Sequence, residues 1–198
     1  MRFRYCDETP FGFSWSVEET MTRTSHALMT DERVWLIDPV DWPKAIERAC
    51  ALGEPAAVLQ LLDRHSRDCA VVASRLAVPH LVAPAAVPDS PFEVVEVKRR
   101  KHWQEVALWW PEPRALVVAE AVGTNRFLTG RRGAVGVHLF LRLTPPKILA
   151  RFAPEHLLVG HGEGVRGPDA AAALHEAIRR SRRDLHGILV RLPRLSRN

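Results

Sequence analysis

The chain has 198 residues, 46% of them hydrophobic, and a formal charge of +5 carried almost entirely by arginine. That is enough chain for one well-buried domain, and no apolar run approaches the roughly 18 residues needed to span a bilayer. Three cysteines, Cys6, Cys50 and Cys69, are odd in number and irregularly spaced, which argues against a disulfide framework and for a reducing cytoplasm.

In chain order, the opening MRFRYCDETPFGFSW is charged and aromatic, unlike a signal peptide. Residues 12–17 and 25–38 read as strands, with SHALMT and RVWLID joined in a hairpin at Asp31–Glu32. Asp41 is placed to cap a helix that carries Pro43 in its first turn and stops at Gly53. Ala56–Leu62 is an apolar run broken only by Gln60 that suits a buried strand, and Ala70–Ala77 reads as an amphipathic helix. VPHLVAP is a short strand, followed by a Pro-rich connection over 83–91. FEVVEVK, EVALWW and RALVVAE continue as strands, the last two separated by a turn at Pro111–Pro113. Residues 122–136 form a glycine-rich exposed loop with Arg126, Arg131 and Arg132. Thr144–Pro145 opens a short helix and His156–Val159 is a strand. A tight glycine turn surrounds His161, and a helix runs from Pro168 to about His186. This alternation predicts one layered α/β domain over 1–198, with a basic helix and tail from about residue 168. The basic runs at 98–101, 131–132 and 179–197 carry no interleaved aromatics, so they read as solvated surface. Nucleic acid and membrane are not expected partners; a small molecule or an anion is, and a homodimer is compatible.

The densest chemistry lies where the buried strand hands over to the next helix. Arg64, His65, Ser66, Arg67, Asp68 and Cys69 occupy a single turn there, a common place for a site in an α/β fold.

Those residues carry a resemblance that spans nearly the whole chain. WLIDP, VLQLLDRHSRDCAVVASRLAVPHLVAP, EVALWWPEPRALVVAEAVG and LLVGHGEGV stand in the order of the landmarks of the metallo-β-lactamase fold superfamily. The resemblance implies a four-layer αββα sandwich with mixed sheets and a site along one edge. Active members carry H-x-H-x-D-H after the central strand. Here Arg64 and Ser66 take the places of the first two histidines, Asp68 is kept, and Cys69 replaces the last. Lys101 falls on the next histidine, with His102 beside it, Glu120 on the bridging aspartate and His161 on the final histidine.

Arginine has no lone pair to give a metal and stays charged. The resemblance therefore implies a decayed dinuclear centre in a protein that is not an efficient metallohydrolase, with no cofactor and no catalytic residue assigned. Arg64, His65, Ser66, Lys101 and His102 are its vestige. One alternative is a mononuclear hydrolase with a single zinc, iron or manganese ion on Asp68, Cys69, Glu120 and His161, all of them side chains able to bind zinc. A second is an anion-binding module that uses Arg64 and Lys101. His138 reads as an ordinary strand-face residue, and Trp103 as packing.

Overall fold

The computed structural model describes residues 2–130 and 132–189, with side chains through Leu185. Arg131 and the basic tail beyond Leu189 lie outside the described residues. One sheet comprises β1 (Arg2–Thr9), β2 (Gly12–Glu18), β3 (Arg23–Thr30), β4 (Arg33–Ile37), β5 (Glu54–Gln60) and β6 (His80–Val82), in that spatial order. The first four strands are antiparallel, and β4, β5 and β6 are parallel. Parallel neighbours need crossovers, supplied by α1 (Pro43–Leu52) and α2 (Cys69–Leu76).

The second sheet contains β7 (Glu93–Arg100), β8 (Trp103–Trp110) and β9 (Ala115–Val118), then β12 (His156–Val159) parallel to β9 and β13 (Val165–Arg166) at the edge. Between β9 and β12 the chain forms the small pair β10 (Val122–Gly123) and β11 (Gly136–Val137). It also forms α3 (Arg126–Thr129) and two 3-10 turns, Leu139–Leu141 and Lys147–Arg151. The long α4 (Asp169–Leu189) closes the outer face.

The period-two geometry of strands sorts side chains between the layers. In β4, Val34 and Leu36 join the apolar cluster under α1 and α2, while Trp35 and Ile37 point between the sheets. Val58 and Leu59 of β5 divide the same way. Ala170, Leu174, Ala177 and Ile178 seal α4 onto the second sheet. The fold is thus an αββα sandwich. No helix among the described residues is long and apolar enough to cross a membrane.

The β3–β4 hairpin turns at Asp31 and Glu32, both with positive φ (49° and 62°), the pair that a two-residue turn requires. Asp41 does not cap α1. The residue before the helix is Trp42, with no side-chain cap, and the Asp41 carboxylate instead forms a two-point pair with Arg75 at 2.7 and 2.8 Å. Pro43 does open the helix and Gly53 ends it. Strand β1 was not expected from the sequence; its register shift between Tyr5 and Glu8 breaks the alternation by which a strand is recognised.

Past β5 the chain leaves the first sheet and pairs with β8 of the second. Val106 N donates to Leu61 O at 2.9 Å and Asp63 N to Gln104 O at 3.0 Å. The polar turn 63–68 is thereby hung over the seam between the sheets, where β9 and β12 also end.

Candidate metal centre

Arg67 anchors the turn. It sits at φ 39°, and its guanidinium donates to the carbonyls of Thr24 at 2.5 Å, Asp38 at 2.7 Å and Gly160 at 2.9 Å. One cation therefore ties the turn to strands of both sheets. A side chain at Gly160 would meet Ala119 O at 2.3 Å and the Arg67 guanidinium at 3.2 Å, so the close approach requires glycine there.

With the turn fixed, His65 is buried and faces inward. Its Nδ1 lies 3.2 Å from Asp38 Oδ2. Burial works against ionisation of Asp38, but the hydrogen bond from His65, the charges of His65 and Arg67 and the Leu61 amide outweigh it and hold the carboxyl below its ordinary value. An ionised carboxylate only accepts, so His65 donates through Nδ1 and, as the neutral ring, turns its Nε2 lone pair to the pocket. His161 does the same from the end of β12, since its Nδ1 lies 2.8 Å from the carbonyl of Met21, another pure acceptor. Burial first, then the charges of Arg67 and His65, push His161 down to about 4. The two Nε2 atoms face one another at 3.3 Å.

Glu120 follows β9 and completes the group, with Oε2 3.7 Å from His65 Nε2. His65, Glu120 and His161 bring one ligand atom each within 4.8 Å of one another. The Glu120 carboxylate is held on both oxygens, with His138 Nε2 3.2 Å from Oε1 and Arg64 3.2 Å from Oε2. His138 Nδ1 accepts from Phe140 N at 3.3 Å, which puts the ring proton on Nε2, toward Glu120. Burial raises the Glu120 pKa, yet the His138 hydrogen bond and the charges of His138, His65 and His161 win and bring it to about 2. Behind it, buried Glu105 accepts from Glu120 N at 2.8 Å, Ala121 N at 2.9 Å and the Trp103 indole at 2.7 Å. The Arg64 guanidinium lies 4.3 Å over the Trp103 ring.

The structure brings Arg64, His65, Glu120 and His161 together. Asp68 and Cys69 go elsewhere. Asp68 Oδ2 accepts from Asp41 N at 2.8 Å, and Cys69 is fully buried with Val72 and Ala73 under the first sheet. Ser66 is exposed, and Lys101 and His102 form the exposed turn between β7 and β8. His138, Asp38, Trp103 and Glu105 are site residues that the sequence reading missed. Asp38 alone had a signal, as the acidic residue closing the WLIDP landmark.

Two imidazole nitrogens with lone pairs inward and one ionised carboxylate are a donor set that zinc accepts, with a fourth position open. Tetrahedral ligand atoms at zinc–nitrogen lengths lie about 3.3 Å apart, so the imidazole pair has a fitting separation.

No protein-family model matches the chain, and no curated protein matches its sequence. Solved structures do match. A metallo-β-lactamase from Pontibacter korlensis superposes with a TM-score of 0.62 at 11% identity, covering 90% of this chain and 99% of that one. The DIM-1 metallo-β-lactamase exposed to ceftazidime gives 0.60 at 10% identity, over 90% and 97% of the two chains. A further DIM-1 structure gives 0.57 at 10%, over 90% and 98%. With the layers, the strand order and the edge position of the site already described, these likenesses lead to one conclusion: the chain has the metallo-β-lactamase fold.

Proposed function

We propose that this chain is a one-ion member of its fold, binding a single divalent metal through His65, Glu120 and His161, and that the other half of the dinuclear centre implied by the resemblance has decayed. The observation that carries the reading is the pair of Nε2 lone pairs facing at 3.3 Å. Asp38 and the Met21 carbonyl each demand a proton from Nδ1, so each ring, when neutral, turns a lone pair and not a proton into the gap. Two lone pairs at that distance repel, and a cation between them removes the conflict.

When bound, the ion would act as Lewis acid and as source of a water-derived nucleophile, with ester, thioester and phosphodiester substrates all compatible. The residues of the chain would do the rest. Asp38 fixes the tautomer and angle of His65, His138 holds the Glu120 carboxylate, and Arg64 supplies a permanent positive charge where the resemblance places a histidine. Without a second ion, turnover is expected to fall well below that of an efficient dinuclear metallohydrolase. Three free cysteines suit a reducing compartment, and we place the chain in the cytoplasm.

Zinc titration of chelator-treated protein tests this, with elemental analysis of protein purified without chelator. One equivalent is expected, lost in His65→Ala and in His161→Ala variants that keep the circular-dichroism spectrum of the wild type. Two equivalents, or one that survives both variants, would overturn it.

A metal-free reading has its own support, because Arg64 and His138 already occupy both oxygens of Glu120. In that reading a proton shared between His65 and His161 fills the gap, and the chain is a pseudoenzyme. The same titration then returns no zinc at all.

A further inference from the structure

Beside the Glu120 group runs a strip of rings in edge-to-face contact that ends in solvent. From the Arg64 guanidinium, 4.3 Å over Trp103, the strip passes to His138 at 5.0 Å from the indole and to Phe140 at 5.3 Å from His138. Trp103 is buried, whereas Phe140 is 74% exposed. A phenyl ring left in water forgoes the gain of burial, and this one is held in place by its turn. The 3-10 turn that carries it is pinned to His138, which accepts from Phe140 N through Nδ1 and from Leu141 N through its carbonyl. The histidine that orients Glu120 therefore also fixes the backbone of the turn that carries the exposed ring.

At the inner end, Arg64 remains 44% exposed and hydrogen-bonds Glu120 with a single N–H. A guanidinium has five N–H donors in a planar fork that matches carboxylate and phosphate oxygens. The Arg64 Cζ lies 4.3 Å over the Trp103 ring, a cation–π contact that keeps the group beside Glu120.

We infer that the pocket takes a small oxyanion carrying a flat apolar group, such as an aryl carboxylate or aryl phosphate. The charge rests on Arg64 and the flat group lies against Phe140. The inference rests on the reading of the Glu120 pocket as the functional site, though not on its holding an ion. Arg64 supplies the charge selectivity and Phe140 the preference for a ring.

Isothermal titration of the full chain with phenyl phosphate, benzoate, inorganic phosphate, acetate and phenol tests it, in chelator and again with one equivalent of zinc. At least one aryl anion should bind about tenfold more tightly than both its ring-free counterpart and phenol, and the tighter of the two identifies the oxyanion. Phe140→Ala should erase that advantage and leave inorganic phosphate or acetate unchanged, since the side chain is exposed and its loss spares the fold. Arg64→Gln should weaken every anion and leave phenol alone. The ligand class is overturned if neither aryl anion outbinds its ring-free counterpart, or if Phe140→Ala keeps the advantage. Should zinc fail to bind while the aryl preference persists, the one-ion reading falls and the ligand class stands. Should zinc bind without any aryl preference, the reverse holds.

Discussion

Glu105 and Glu120 sit back to back, the carboxylate of one accepting the backbone N–H of the other at 2.8 Å, and yet they are opposite kinds of acid. Burial dominates Glu105 and lifts it to about 7; the N–H groups of Glu120, Ala121 and Trp103 pull the other way without cancelling it. Glu120 also loses water, but the His138 hydrogen bond and the charges of three imidazoles hold it near 2. Both carboxylates lie deep in the seam between the sheets. What separates them is the company: neutral donors around one, rings able to carry charge and a guanidinium around the other. Depth alone would have marked Glu105 as the chemically interesting residue. The ring of potential cations marks Glu120, and leaves Glu105 as the post on which it is mounted.

The strongest way to break this division is to remove the post. Glu105→Ala strands two backbone N–H groups and an indole N–H, each costing about 1–3 kcal/mol when buried and unpaired. A loss of about 4 kcal/mol in urea unfolding is expected. Glu105→Gln keeps an oxygen for the two backbone donors and should lose less than half as much. Equal losses from the two variants would show that the hydrogen bonds to Glu120 and Ala121 are not what Glu105 contributes.

The protonation of Glu105 gives the next effect. Its folded pKa is raised from 4.5 to about 7, so between those values the folded chain keeps a proton that the unfolded chain has released. Stability from this group therefore falls as pH rises through that window, by about 3 kcal/mol at most. Glu120 runs the other way: its contribution is present above 4.5 and is lost as pH falls toward 2. His26 and His161, each pushed down to about 4 chiefly by burial, add stability as pH rises toward 6.5 and mask part of the Glu105 slope. The difference between wild type and Glu105→Gln across pH 4.5–7 isolates it. A flat difference would place Glu105 with the ordinary carboxylates.

On the Glu120 side, His138→Ala should weaken zinc about 10–100-fold while the stoichiometry stays at one, as removal of groups that orient metal ligands generally does. His138→Gln, whose amide can still donate to Oε1, should recover part of the loss. A calorimetric isotherm reads both.

How much of this was readable beforehand depends on which physical rule governs each residue. Strands buried on both faces, the Asp31–Glu32 turn, and a helix between Pro43 and Gly53 follow from periodicity and backbone preference, and they stand in the structure. Glu120 and His161, which the resemblance names and the structure brings together, each lie two residues past a strand whose register fixes the course of the chain. The turn 64–69 has no such periodicity. Its direction is set by Arg67 at positive φ, clamped on three carbonyls from distant strands, and no local rule says that His65 then points inward while Arg64 lies over Trp103. His138 was further out of reach. It comes from an irregular loop, and its role rests on the Phe140 N–H that fixes its tautomer.

The smallest expected effects test the same turn from its other end. Asp68→Asn keeps an oxygen for the Asp41 N–H and should cost less than about 1 kcal/mol, the scale of a single net hydrogen bond. Cys69→Ala removes one sulfur from a fully buried site and should cost about 1 kcal/mol in unfolding experiments. Neither should move zinc affinity by more than about twofold, since neither side chain reaches a ligand atom: Asp68 is turned to Asp41 N and the Cys69 thiol donates to the backbone carbonyl of His65, at 3.7 Å. The near-silence is informative because the resemblance alone assigns both residues to the metal. If either variant abolished zinc binding while unfolding at nearly the wild-type urea concentration, the ion would lie on the α2 side of the turn. The facing imidazoles of His65 and His161 would then need a proton of their own to explain their 3.3 Å approach.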